Sequence, residues 1–400
     1  MKFLHITGVF PPAFGYGGVP LAAFGLAHGL MELGYDNLVL TTDANGSKRL
    51  PVISGQLTQY QDVPVIYTHR WGCNPYFYSP SLAERLRESV REFDLALVRG
   101  NWGYINLLAR MHLPGLNVPY ILYPEGTFDA WAMLQKRWKK LPYWHLIEKY
   151  NYHQAAGAVA LTEAEYHQTK EYVPQISVEV IPNGINLADF YPAPDYGELA
   201  QRFPDLADRP FILFLSRLHY KKGLDVLFEA LAEFLNSGQK SDQLPRLVVA
   251  GAGDQTFENN LRSQVAQLGL ADQVKFTGMV TGLDKLCLLH HCSFLMLPSR
   301  SEGLPVAVLE ALACAKPVII TPQCNLPEVA EAGAGLIVHL EPSVLAQGIY
   351  RMWKNSEERQ VMGERAKKLI EDKFTWSSVA EKTVQFCQNI LDDRKPRKAS

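Results

Sequence analysis

The sequence predicts an α/β protein with two domains, each a doubly wound parallel sheet. Three observations predict it. The chain has 400 residues, more than one ordinary domain and enough for two of about 200 residues each. Short apolar runs alternate with helical patterns, which is how buried parallel strands joined by crossover helices read. The alternation then breaks over a proline-rich stretch and starts again.

In chain order, Lys2 precedes a short apolar run, Phe3-Leu4-His5-Ile6. The run is too short for a signal peptide, His5 and Thr7 interrupt it, and no small-residue cleavage site follows. It reads as a first strand, Phe3–Thr7. A glycine-rich loop follows, then a helix from about Val19 to Leu33. Further strands are expected at Leu38–Thr41, Leu95–Val98, Tyr120–Tyr123, Ala158–Ala160 and Val178–Ile181. Asp189 to Pro210 carries Pro192, Pro194, Pro204 and Pro210 among acidic residues, as a linker and domain lead-in would. The second series is Phe211–Leu215, Arg246–Ala250, Val274–Thr277, Phe294–Leu297 and Pro317–Thr321, with an edge strand at Gly335–Val338. Thr375 to Leu391 has the pattern of an amphipathic helix, and Asp392–Ser400 reads as a charged tail. The expected domains are residues 1–190 and 191–373, with 374–400 as a closing segment. Both domains are Rossmann-like. Ligands of such sheets bind at the carboxyl ends of the strands, so a cleft between the two domains is the expected site.

Composition removes several classes. Hydrophobic residues are 47% and charged residues 20% of the chain, an ordinary globular balance. The formal charge of −2 argues against bulk nucleic-acid binding. Cys73, Cys287, Cys292, Cys314, Cys324 and Cys387 contain no C-x-x-C pair and read as reduced packing thiols of a cytoplasmic protein. No stretch approaches the ~20 apolar residues of a membrane span.

Four segments carry chemistry. The first is Ser299-Arg300-Ser301-Glu302-Gly303-Leu304-Pro305, leading to Glu310. A strand ends there in a polar loop, and a helix is expected to start near Pro305, since proline suits a first helical turn. The free N–H groups of that turn can hold a diphosphate or a sugar hydroxyl. Glu302 falls in the loop. Glu310 falls inside an otherwise apolar helix, where a carboxylate needs a partner such as a ribose diol; taken alone, Glu302 reads better as a solvated loop acid and Glu310 as a helix-surface charge, and it is the set of segments that favours a ligand. The second segment is Ser216-Arg217-Leu218-His219-Tyr220-Lys221-Lys222-Gly223, directly after a strand. Its Arg217 and Lys222 can neutralise a diphosphate or simply be basic loop residues. The third is Gly251-Ala252-Gly253-Asp254, where two glycines permit close backbone approach to a ligand, or form a tight turn. The fourth is Pro11-Pro12-Ala13-Phe14-Gly15-Tyr16-Gly17-Gly18. It lacks the third glycine of a dinucleotide fingerprint, yet Gly17 and Gly18 can admit a phosphate or sugar.

Together these segments resemble glycosyltransferase family 4, retaining enzymes of the GT-B fold. Ile181-Pro182-Asn183-Gly184-Ile185, the E-x7-E of Glu302 and Glu310, and Phe374-Thr375-Trp376 before the last helix extend the likeness over nearly the whole chain. The resemblance implies that Arg217 and Lys222 contact the donor diphosphate. It implies that Glu302 and the backbone of Gly303, Leu304 and Pro305 hold the donor sugar, and that Glu310 binds the ribose. It places Gly278 to Val280 near the base, with Gly251 and Gly253 on the donor side, and returns the last helix to the N-terminal domain. Many members carry a histidine before glycine at one N-domain strand end. Here Tyr123-Pro124-Glu125-Gly126-Thr127 offers Glu125, a carboxylate able to bind a sugar hydroxyl or take the acceptor proton.

The expected activity is transfer of a hexose, first glucose from UDP-glucose, to a saccharide or lipid-linked acceptor. GDP-mannose and UDP-N-acetylglucosamine are the other donors considered. No D-x-D occurs in the chain, so the diphosphate charge falls to Arg217 and Lys222, and neither a metal nor a cofactor is expected. A basic aromatic segment from Trp131 to Tyr150 contains Lys136, Arg137, Lys139 and Lys140. It reads as a helix face packed by its aromatics, or as a surface for an anionic membrane near a lipid-linked acceptor. The competing functions are a sugar-nucleotide epimerase, a dehydrogenase and a non-catalytic sugar binder. The missing third glycine opposes the dehydrogenase, and the paired basic and acidic motifs oppose the binder.

Overall fold

The computed structural model describes residues 1–16, 18–72, 76–100, 102–129, 133–134, 137–236 and 244–394. They form two compact units. One takes Met1–Gly184 and the chain from Trp376 onward; the other takes Ile185–Thr375.

The first unit holds strands β1 (Lys2–Thr7), β2 (Asp36–Thr42), β3 (Ala44–Asn45), β4 (Lys48–Arg49), β5 (Leu57–Tyr60), β6 (Val63–Thr68), β7 (Leu95–Arg99), β8 (Tyr120–Tyr123), β9 (Gly157–Ala160) and β10 (Val178–Val180). Eight of them form one sheet in the order β10-β9-β8-β7-β1-β2-β6-β5. Only β5 runs antiparallel, against β6; β3 and β4 make a separate small hairpin. The four strands from β3 to β6 were not expected, for a physical reason. β5 is a mostly exposed edge strand without an apolar run, and β6 carries Pro64 inside it, which demotes a strand reading. Strand order reverses between β1 and β7, so the crevice of this sheet opens at their carboxyl ends.

The last helix, Trp376–Arg394, packs along the Gly18–Glu32 helix of this unit. Glycines make the contact possible. A Cβ on Gly25 would lie 2.0 Å from the Trp376 ring, and one on Gly29 would lie 2.6 Å from the Trp376 carbonyl oxygen. Val379, Ala380, Phe386, Cys387 and Ile390 then close a core with Phe3, Leu26, Leu30, Ile121 and Val159. Each large side chain buried there contributes roughly 1.5–3 kcal/mol.

In the second unit, β11 (Phe211–Leu215), β12 (Arg246–Ala250), β13 (Val274–Gly278), β14 (Phe294–Leu297), β15 (Val318–Ile320) and β16 (Gly335–Ile337) form one all-parallel sheet. Its order is β13-β12-β11-β14-β15-β16, the doubly wound dinucleotide-binding order. The switch point lies between β11 and β14. The stretch expected as a linker is structured and belongs to this unit. A capping box at Asp195 and Glu198 starts the Tyr196–Arg202 helix, with 3-10 turns at Leu187–Phe190 and Pro204–Leu206. Phe190, Leu199 and Leu206 enter the core. Pro204 begins one of these turns instead of leaving the chain extended.

Cys287, Cys292, Cys314, Cys324 and Cys387 are free and buried. Burial pushes the Cys292 thiol up to about 11 and that of Cys387 up to about 12. Cys73 lies outside the described residues. Among the described residues, no helix is long and apolar enough to cross a membrane.

Candidate active site

The loops that leave β11 and β14 flank the switch point of the second sheet, and they are tied together before any ligand arrives. The backbone N–H of Arg300 donates to the Lys221 carbonyl at 2.7 Å. The Arg300 guanidinium forks onto both Asp225 carboxylate oxygens at 2.8 and 2.7 Å and lies 4.1 Å above the Tyr220 ring. Gly223 has φ +69° and sits where a Cβ would meet the Pro298 carbonyl oxygen at 2.0 Å. Only glycine lets the two loops close this tightly.

That clamp places the Lys222 ammonium 2.5 Å from Glu302 Oε1. The same oxygen accepts from the Ser299 hydroxyl at 2.7 Å. The Glu302 backbone is fixed on both sides. Its N–H donates to the Gln323 carbonyl, and its carbonyl accepts from Asn325 Nδ2 at 2.8 Å. Glu302 Oε2 accepts from no described group.

The helix that follows is Val306–Ala313, with Pro305 at its N-cap instead of in its first turn. Among the described residues, the N–H groups of Gly303, Leu304, Val306 and Ala307 find no acceptor. Gly303 is exposed, with open space where a side chain would stand. A polar loop and a helix N-terminus therefore present unmet donors beside an ammonium group, an arrangement suited to a phosphate or a sugar hydroxyl.

Arg217 is exposed, and its side chain bonds to no described residue. The structure does not join it to Lys222. Glu310 has a partner that spacing did not suggest: Lys285 Nζ, from the Gly282–His291 helix, lies 2.8 Å from its Oε1. Glu310 Oε2 is left open among the described residues.

Gly251 and Gly253 do allow a close backbone approach, but to the neighbouring loop. A Cβ on Gly251 would lie 1.8 Å from the Ser216 carbonyl oxygen, and one on Gly253 would lie 2.2 Å from that of Leu218. The Leu218 N–H donates to the Ala252 carbonyl. Their part is to seat the Arg217 loop. Gly278, at φ +74°, has open space around it, and its carbonyl accepts from the Gly251 N–H. Val280 packs against the core.

In the first unit, Glu125 sits just past β8 with a backbone φ of +46°, in the left-handed region that residues other than glycine adopt only rarely. Its Oε1 takes Arg99 Nη1 at 2.5 Å. Arg99 is buried at the end of β7, 3.9 Å above the Tyr123 ring. The Gly126 N–H after it donates to Glu165, whose carboxyl burial holds above its ordinary range. Gly18 opens its helix with free space around it; Gly17 lies outside the described residues. Lys285 and Arg99 were not singled out in the sequence, and Ser299 and Arg300 stood in the first segment without a role of their own; the partners of Lys285, Arg99 and Arg300 lie 25, 26 and 75 positions away.

Two family models match the chain: Glycosyltransferase Family 4 over residues 16–189 and Glycosyl transferases group 1 over residues 198–369. An uncharacterised glycosyltransferase of Methanocaldococcus jannaschii is 24% identical over 98% of this chain and 99% of its own length. D-rhamnosyltransferase WbpZ of Pseudomonas aeruginosa is 25% identical over 90% of this chain and 88% of its own. Among solved structures, Anabaena HepE in complex with UDP-glucose superposes with a TM-score of 0.71 at 20% identity, covering 97% of this chain and all of its own. Two parallel Rossmann-like sheets, an intact E-x7-E beside a lysine loop and matches over both halves lead to one conclusion: the chain belongs to glycosyltransferase family 4 and has the GT-B fold.

Proposed function

We propose that this glycosyltransferase is a retaining hexosyltransferase, using glucose from UDP-glucose first, that extends a saccharide or lipid-linked acceptor in polysaccharide or glycoconjugate assembly. The observation that carries the reading is the Lys222–Glu302–Ser299 cluster beside the unmet N–H groups of the Val306–Ala313 helix. The solved HepE complex, which contains UDP-glucose, supports the choice of donor. On this reading the sugar–oxygen bond to the diphosphate breaks through an oxocarbenium-like state. The acceptor hydroxyl attacks from the same face, and its proton leaves with the departing diphosphate. Arg217, Lys222 and the helix N-terminus stabilise the charge that develops on the leaving diphosphate. No metal or cofactor is required.

Thermal stabilisation by UDP, GDP and ADP, each with and without chelator, tests this. A nucleotide at 100 times its Kd adds about 2.7 kcal/mol. One nucleotide should shift the melting midpoint equally in both conditions. No shift with any of them would overturn the donor reading, and a shift abolished by chelator would overturn metal independence.

We also propose that the first unit rests on an anionic membrane surface. The Tyr104–His112 and Arg137–Tyr143 helices, the π turn Trp144–Glu148 and the Lys149–Gln154 helix leave Trp138 75%, Leu146 68%, Met111 63% and Tyr150 53% exposed. Arg110, Arg137, Lys139, Lys140 and Lys149 surround them, and the single acid of these elements, Glu148, is buried. Exposed aromatics among basic side chains suit anionic headgroups. The protein should co-sediment with phosphatidylglycerol vesicles and not with phosphatidylcholine vesicles, and a Trp138→Ala/Leu146→Ala/Tyr150→Ala variant should stay in solution. Equal behaviour with both lipids would remove the proposal.

A further inference from the structure

We infer that Lys285 is a positioning residue for the donor nucleotide: it holds one oxygen of Glu310 so that the other is presented to the ribose diol. The inference rests on the donor reading above. Three observations carry it. Each glutamate of the E-x7-E has one lysine on its Oε1, Lys222 at 2.5 Å and Lys285 at 2.8 Å, while each Oε2 accepts from no described group. Lys285 comes from the Gly282–His291 helix, which follows directly on the open Gly278–Thr281 turn at the end of β13. The ion pair therefore ties that turn's helix to the helix whose N-terminus offers unmet donors. Both partners are half-buried, so the pair is less screened by solvent than a surface one.

The physical need for such a residue is plain. Two carboxylates stand in a site that must admit a diphosphate, and an uncompensated anion there would repel it. A lysine on each cancels that charge. A carboxylate so held also loses its rotational freedom, and its remaining oxygen becomes a fixed acceptor for a hydroxyl. Lys285 stands outside the E-x7-E spacing and does not itself face the diol, so its role shows in discrimination between sugars of the nucleotide.

The test uses the full chain and whichever of UDP, GDP and ADP stabilises it most, with the matching 2′-deoxynucleotide, by calorimetric titration. Wild type should prefer the ribonucleotide by about tenfold, the range of one hydrogen bond to a charged acceptor. In Lys285→Met the two nucleotides should bind within about twofold of each other, and KM for the sugar nucleotide should rise with kcat nearly unchanged. Lys285→Arg should restore most of the preference. Lys285→Gln replaces the methionine variant if that melts early. A loss common to both nucleotides, with their ratio intact, would show a merely structural ion pair and overturn the inference. If wild type binds none of the three nucleotides, the donor reading falls and this one with it.

Discussion

Glu310 and Lys222 differ in what their removal leaves behind. Glu310→Ala frees Lys285, which is partly exposed and can turn to water, so the fold should stand while transfer is lost. Lys222→Ala leaves Glu302, mostly buried, with Ser299 alone as partner. It should lower transfer by about 10²–10³-fold, as loss of one charge-stabilising donor does, and also lower the melting midpoint. Product assays beside ligand-free melting curves separate the two. Full activity in both variants would refute the site assignment. At this scale the sequence showed residue types that suit a nucleotide diphosphate, because Glu302 and Glu310 sit eight apart on one loop and helix. It did not show Lys285, or that Lys222 would close on Glu302. The Lys285–Glu310 pair spans 25 positions and the Lys222–Glu302 pair spans 80, and contacts closed through space leave no local spacing to read. The glycines misled in a related way. Gly251 and Gly253 do signal a close approach, but a glycine does not say what approaches.

Among the elements, the two loops at the switch point depend on one residue. Gly223→Ala would place a methyl 2.0 Å from the Pro298 carbonyl at a positive φ. The loops must then part, at a cost of about 1–3 kcal/mol. The variant should melt earlier and bind nucleotide more weakly, as Lys222 moves off the Glu302 side. Wild-type nucleotide affinity in this variant would mean that the clamp does not shape the site. Buried parallel strands such as Phe211–Leu215 and Phe294–Leu297 were legible as unbroken apolar runs. The edge strand β5 was not, since an exposed strand has no such run, and the buried β6 was masked by Pro64 within it. The Tyr196–Arg202 helix was hidden by the prolines around it, although its Asp195…Glu198 cap was present in the sequence.

For the molecule as a whole, two buried groups of the first unit set opposing responses to pH. Burial raises Glu148 from 4.5 to about 7; the folded state then binds the extra proton, and stability falls as pH rises from 4.5 to 7. Burial, with Arg99 nearby, lowers His5 from 6.5 to about 3; the unfolded state binds the extra proton, and stability rises with pH from 3 to 6.5. Between pH 4.5 and 6.5 the two slopes, each up to about 1.4 kcal/mol per pH unit, oppose one another. Glu148→Gln should remove its part of the falling slope, to which the raised Glu165 also contributes, so that stability of the variant, followed by denaturant unfolding, rises more with pH across that interval than that of wild type. A variant profile parallel to wild type would show that Glu148 does not titrate there. The last helix has a consequence of another kind. Because residues 185–375 lie between the two parts of the first unit, a ribosome delivers every residue of the second unit before the helix that completes the first. Until Trp376 and the turns after it emerge, Phe3, Leu26, Leu30, Ile121 and Val159 lack their cover, and the half that is synthesised first is the half that finishes last.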